Sequence, residues 1–226
     1  SVESLLKGPK DIVFTVTPTV DSHNQALSVF NISDTGLTFA PDQEDDEAPK
    51  PSYKITSITV GKATQDVTNL EYTISNPTIS AKVTFHVAGG SDQSSTKNVS
   101  DADAVFIASG NVTSFDIEYF STEVSTATKG KYVLGYDFNP GAITVNVTVK
   151  KLDDGTYLHP VTEVTTITNT ANATLTYPKW KADGSDTEDV SPTIQPATAV
   201  VNVDPIALPQ VQVGKRSIPA GSVQLE

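Results

Sequence analysis

Apolar and polar residues alternate with a period of two along most of the chain. The clearest example runs from Thr78 to Val87, and its apolar positions are Ile79, Ala81, Val83, Phe85 and Val87. Successive side chains of a β-strand point to opposite faces, so this pattern predicts a strand with one buried face and one solvated face. The register is well specified, because a slip of one residue would bury Lys82 and His86 instead.

The same alternation recurs in several further segments, which we predict to be strands. They are residues 12–17, 26–30, 53–60, 115–119, 143–150, 164–177 and 199–203. No long segment has helical periodicity that could supply the crossovers of a parallel sheet. We therefore expect an all-β protein, an antiparallel immunoglobulin-like β-sandwich with on the order of ten strands or more.

Turn and loop chemistry separates these segments. Asp34-Thr35-Gly36 and Asn139-Pro140-Gly141 are typical of turns, because Asn, Asp and Gly tolerate positive φ and Pro presets its own φ. Residues 89–103 are polar and rich in Ser, which predicts a loop. Residues 41–51 and 181–196 combine prolines with many carboxylates, so we expect both to be exposed and mobile.

The length of 226 residues allows one large β domain or two smaller ones. We interpret residues 1–205 as one elaborated β-sandwich module. The alternative is two modules divided near residues 89–100. Residues 206–226 are interpreted as a linker into a following module, ending in Leu225-Glu226, which has the look of a cloning scar.

Composition narrows the classes of function. The chain has no cysteine, which excludes thiol catalysis, disulfides and cysteine metal sites. Its 15 Lys and Arg against 27 Asp and Glu give a net charge of -12, so a nucleic-acid backbone would be repelled. No apolar run is long enough for a membrane helix, and we expect no insertion into a membrane. A solvated surface domain fits this balance.

Two stretches resemble the isopeptide-forming modules of Gram-positive fimbrial and wall-anchored surface proteins. Asp11 to Thr17, followed by Phe30 to Phe39 with its Asp34-Thr35-Gly36-Leu37-Thr38-Phe39 segment, is similar to the opening of those modules. Ile167 to Lys179, which contains Asn169-Thr170-Ala171, is similar to their closing strand. The tail Val211 to Arg216 is similar to the start of a successor module in a tandem array.

This resemblance implies a bond between a Lys amine and an Asn side-chain amide, promoted by a nearby acid. It makes Asn169 the candidate amide, Asp34 the weaker candidate acid, and Lys7 or Lys10 the candidate amine. Burial would favour both the neutral amine and the protonated carboxyl that such a reaction needs. The alternative is that Asn169 and Asp34 only bond the backbone and that both lysines are solvated.

Other candidate chemistry is sparse. Trp180, at a loop entrance, could stack on a ligand or plug the end of the sandwich. His23, His86 and His159 lack the spacing of zinc ligands, and we expect His86 to be solvent-exposed. Acidic residues in 42–47 and 183–189 do not match a calcium-binding loop, so we interpret them as solvated charge. No catalytic motif is present, and we expect no enzyme activity, metal or cofactor.

These observations favour an extracellular, cell-surface stalk or shaft module of an adhesin or pilus-like protein. Its expected partners are neighbouring modules of the same polypeptide, with a host or cell-surface glycan or protein as a further candidate. One alternative is a glycan-binding adhesin domain. Another is a viral or phage structural protein, because such proteins are also Thr-rich, free of cysteine and all-β.

Overall fold

The chain is described from a computed structural model. The structure describes residues 11–21, 25–40, 53–68, 70, 74–123, 132–149, 165–180, 182 and 187–203. Fourteen strands and no helix occur in these ranges. The strands are β1 (Ile12–Val16), β2 (Val29–Ala40), β3 (Tyr53–Val60), β4 (Thr64–Asp66), β5 (Ile74–Val87), β6 (Gln93–Asn98), β7 (Ala104–Ile107), β8 (Val112–Glu123), β9 (Tyr132–Val133), β10 (Tyr136–Asn139), β11 (Ile143–Val149), β12 (Thr165–Trp180), β13 (Thr187–Val190) and β14 (Ala197–Val203).

The strands form two main sheets that pack as a sandwich. The smaller sheet has the order β1-β11-β3-β7, and the larger one has the order β13-β12-β2-β8-β5-β6, with β14 paired to β12 and β9 to β8. Strands β10 and β4 make a separate pair. Every pairing between these strands is antiparallel. The predicted all-β antiparallel sandwich is therefore confirmed.

The core lies between the two sheets and is built from the inward positions of both. Strand β5 contributes Ile79, Ala81, Val83 and Phe85, all buried, while Val87 at its end is only partly buried. Lys82 is exposed. The buried face that alternation predicted for this strand is thus confirmed. Both sheets need this burial, because each has one apolar face that must be covered.

An aromatic cluster fills the centre of the core. The ring centroids of Phe30 and Phe138 lie 5.2 Å apart, and those of Tyr119 and Phe138 lie 5.7 Å apart, both with edge-to-face geometry. Phe30 comes from β2, Tyr119 from β8 and Phe138 from β10, so the cluster ties together three distant parts of the chain. Tyr119 is so deeply buried that desolvation raises the pKa of its hydroxyl.

The loop predicted for residues 89–103 contains strand β6, and this prediction was wrong. Residues 93–98 pair with Phe85 to Ser80 of β5 across a turn in which Gly89 has a φ of +72°. Polar composition misled the prediction, because β6 is an edge strand whose Ser and Thr side chains face water. Its backbone groups are satisfied by the ladder whatever its side chains are.

The predicted loop at 181–196 is also interrupted by a strand. Residues 187–190 form β13, which pairs with Tyr177 to Trp180 at the end of β12. The physical reason is that β12 extends past the predicted end of its strand and offers unpaired backbone groups to the returning chain. Residues 191–196 are exposed, as expected. The acidic segment 41–51 lies outside the described residues.

The predicted boundary near residues 89–100 falls within the β5–β6 hairpin. Strand β2 precedes it in sequence, and β8 and β12 follow it, yet β2 pairs with both in one sheet. The predicted linker, residues 206–226, lies outside the described part of the chain. Within the described residues there is no helix that could span a membrane.

Candidate functional site

The site begins with a β-bulge in β2 at Asp34-Thr35-Gly36, the segment predicted to be a turn. Ala171 of β12 pairs with Asp34 and Asn169 with Leu37, so two residues of β2, Thr35 and Gly36, oppose a single residue of β12. The turn prediction was wrong. A turn and a bulge of this kind require the same local features, so Asp-Thr-Gly does not distinguish them. Gly36 supplies a φ of +106°, and the Asp34 carboxylate accepts a hydrogen bond of 2.9 Å from the Gly36 amide.

The bulge decides which side chains of β2 face the core. Phe30, Ile32 and Asp34 point inward at alternate positions, and the extra residue lets Leu37 point inward as well. Asp34 is thereby placed in the core with only 2% of its surface exposed. Without the bulge, the period of two would turn Leu37 to solvent.

Asn169 meets Asp34 from the neighbouring strand. It occupies an inward position of β12 between Ile167 and Ala171 and is 4% exposed. Its side-chain amide donates a hydrogen bond to the Asp34 carboxylate. The structure therefore brings together the two residues that the sequence suggested as amide and acid, although they are far apart in the chain.

Two buried oxygens of this pair have no hydrogen-bond partner among the described residues. They are Oδ2 of Asp34 and Oδ1 of Asn169. Both are acceptors, so what each lacks is a donor. An unsatisfied buried polar atom is unfavourable by about 1–3 kcal/mol, and native structures contain few of them without a reason.

Burial changes the acidity of Asp34. Desolvation raises the pKa of its carboxyl from 3.8 to about 6, against the opposing effect of the hydrogen bonds from Asn169 and Gly36. The negative charge of Asp116 adds a smaller upward contribution. A carboxyl with this pKa holds its proton in mildly acidic solution, and so can donate a hydrogen bond to an amide oxygen.

Asn169 also lines a cavity of about 550 Å³ between the two sheets. The walls come from the end of β1 and the residues after it, from β2, from β12, and from β14 with the segment before it. They are mostly apolar and include Phe14, Val16, Ile32, Leu175, Ile194 and Ala199. At the opposite edge of the sandwich, the Lys97 ammonium of β6 donates a hydrogen bond of 2.6 Å to the Val105 carbonyl of β7.

The remaining predicted site residues divide into two groups. Lys7 and Lys10 lie outside the described residues. Trp180 ends β12, where its backbone pairs with Thr187, and only its backbone is described. Among the described residues, no cluster of His, Cys, Asp or Glu side chains could hold a metal ion.

One polar network was not predicted from the sequence. His86 is not simply solvent-exposed, because its ring contacts the carboxylates of Asp92 and Asp116. Asp116 in turn accepts a hydrogen bond from the Ser33 hydroxyl. Alternation alone indicated that His86 and Asp116 face the same way, but their pairing depends on the β5–β8 register, which no local pattern specifies.

Comparison with known proteins gives no match, either to a protein-family model or to a curated protein.

Proposed function

We propose that this chain is a structural stalk module of a bacterial cell-surface adhesin or pilus-like protein, stabilised by an isopeptide bond from Asn169 to Lys7 or Lys10. The observation that carries the proposal is the buried Asp34–Asn169 pair with its two oxygens that lack donors. Before the bond forms, a Lys side chain has several N–H groups and could donate hydrogen bonds to both oxygens. The resemblance to isopeptide-forming modules supports the same role.

The proposed reaction combines the Asn169 amide and the Asp34 carboxyl with the amine of Lys7 or Lys10. The neutral Lys amine attacks Cγ of Asn169, the Nζ–Cγ bond forms, and the Cγ–Nδ2 bond breaks. One amine proton moves to the leaving nitrogen, which departs as ammonia. Protonated Asp34 donates a hydrogen bond to Oδ1 of Asn169 and so stabilises the negative charge that develops on this oxygen.

Such a bond suits a module that carries tension. It would join the segment before β1 to β12 and close a loop of about 160 residues, which corresponds to roughly 5 kcal/mol of destabilisation of the unfolded chain in the loop-entropy model. A force applied to the chain would load a covalent bond rather than the hydrogen bonds of one ladder. The partners would be neighbouring modules, on the outside of a cell.

Intact mass spectrometry of the purified chain tests the proposal. We expect a mass lower than the sum of the residues by one ammonia, about 17 Da, because isopeptide formation releases it. The full mass should return in N169A and in D34A, and in whichever of K7R and K10R removes the amine. D189A, which removes an exposed carboxyl of β13, should keep the loss. A full mass in the unmodified chain would refute the cross-link.

A further inference from the structure

The outer face of the larger sheet carries a histidine held between two carboxylates. His86 of β5 has Nδ1 at 3.0 Å from Oδ2 of Asp92, which lies in the connection between β5 and β6. Its Nε2 is 2.8 Å from Oδ2 of Asp116 in β8. The other oxygen of Asp116 accepts a hydrogen bond from Ser33 of β2. The ring therefore connects the β5–β6 turn to two further strands.

Only the charged form of the ring can donate to both carboxylates in this geometry. An imidazolium has an N–H on both nitrogens and can donate to both carboxylates, whereas neutral imidazole has only one N–H. After loss of the proton, one nitrogen lone pair would face a carboxylate oxygen at hydrogen-bond distance. One of the two contacts would then turn from attractive to repulsive.

We propose that His86 is a protonation-dependent clamp that fastens the β5–β6 turn to the outer face of the larger sheet. With the ring charged, the turn is held through Asp92 and the sheet through Asp116. With the ring neutral, Nε2–H remains bonded to Asp116, the shorter of the two contacts, and the turn is released from Asp92. The module is therefore stiffer on this face at pH values below the folded-state pKa of His86 than at pH values above it.

The charged groups around the ring favour its protonated form. The charged groups that face the ring are Asp116 from β8 and Asp92 from the connection to β6, while β2 contributes the neutral Ser33. The next charged residues along this face are Lys82 and Glu118, which lie opposite each other in the register of β5 and β8. The hydrogen bond to Asp116, reinforced by that to Asp92, raises the pKa of His86 above its ordinary value despite partial desolvation.

The sign of the pH dependence follows from this direction. The folded chain holds the His86 proton more tightly than the unfolded chain does, so the stabilising effect is complete below the ordinary histidine pKa of 6.5. It is lost as the pH rises through the higher folded-state pKa. Side chains that are half-exposed are partly screened by water, so the effect on global stability is small and the local effect on the turn is the better measure.

An NMR titration of the full chain tests the clamp. We expect the His86 ring signal, identified by its loss in H86Q, to titrate with a midpoint above 6.5. The amide signals of Gly89 and Gly90 in the turn should move with the same midpoint. In D92N the His86 midpoint should fall, and the Gly89 and Gly90 amides should no longer follow it, because the turn has lost its contact with the ring.

D189N is the matched control, because Asp189 is an exposed carboxyl of β13, at the opposite edge of the same sheet from β6. It should leave both midpoints unchanged. The proposal is overturned if the His86 midpoint in the unmodified chain lies at or below 6.5, or if the Gly89 and Gly90 amides move with the ring equally in the unmodified chain and in D92N.

Discussion

Replacing Asp34 by Asn should make the protein more stable at neutral pH, provided that no cross-link is present. The test therefore uses a K7R/K10R background, in which the proposed bond cannot form. Asn has the shape of Asp, and its carbonyl oxygen can still accept the hydrogen bond from the Gly36 amide. What it removes is a negative charge in a core position that is 2% exposed.

The magnitude follows from the pKa of Asp34. This pKa is 3.8 for an ordinary Asp and about 6 in the folded chain, so the native state binds the proton more tightly. Stability is then lost as the pH rises from about 4 to 6. At pH 7 the buried charge costs about 3 kcal/mol, and at pH 4 it costs less than about 1 kcal/mol. The gain from D34N should follow the same curve.

Urea denaturation at a series of pH values between 4 and 8 measures this difference. D66N provides a control of opposite sign, because Asp66 is exposed and hydrogen bonds from the side chain and backbone of Thr68 lower the pKa of its carboxyl. The stabilising effect of that charge is complete above the ordinary Asp pKa of 3.8, so D66N should weaken the protein by a nearly constant amount between pH 4 and 8. A D34N effect that is destabilising, or that does not change with pH, would show that burial does not raise the pKa of Asp34.

Two further predictions concern the bulge and the core. Gly36→Ala should lower the unfolding free energy by about 1–3 kcal/mol in urea titrations, because φ is +106° and the new Cβ would lie 3.4 Å from the Thr113 carbonyl oxygen. Gly89→Ala, which has positive φ but open space around the Cβ, should cost less; equal costs would contradict the role of the close approach. Phe138→Ala should cost about 3–5 kcal/mol by removing a fully buried ring, and Phe138→Leu should cost less. No difference between these two variants would mean that the aromatic cluster is loosely packed.

The sequence predicts elements of this fold better than it predicts their partners. Alternation located the buried face of β5 because a strand that is buried on one side has an apolar residue at every second position. Among the strands that it missed are β6 and β13, since an edge strand is held by backbone bonds that Ser, Thr, Glu and Asp permit as well as any residue. Composition therefore predicted loops where the ladder continues.

The candidate site shows the same limit. Asn169 and Asp34 were suggested separately, from two motifs, but their meeting depends on the β2–β12 register and on the bulge opposite Thr170. Asp-Thr-Gly has the same local chemistry in a turn and in a bulge, so no local pattern separates them. The His86 contacts with Asp92 and Asp116 join three segments, and only the folded chain brings these together.

The order in which partners become available during synthesis has a consequence for folding. The first two strands of the described chain pair with late ones, β1 with β11 and β2 with β12, across more than half of the sequence. Such non-local pairing slows folding, because the chain loses the entropy of closing a long loop before the stabilising contacts form. A growing chain therefore carries Phe14 without a sheet partner until β11 emerges, and it carries Phe30 and Ile32 with only their β8 partners until β12 emerges. The sandwich can therefore form only late in synthesis. A chain that stops before β11 should remain unfolded and open to proteases rather than form a smaller sandwich.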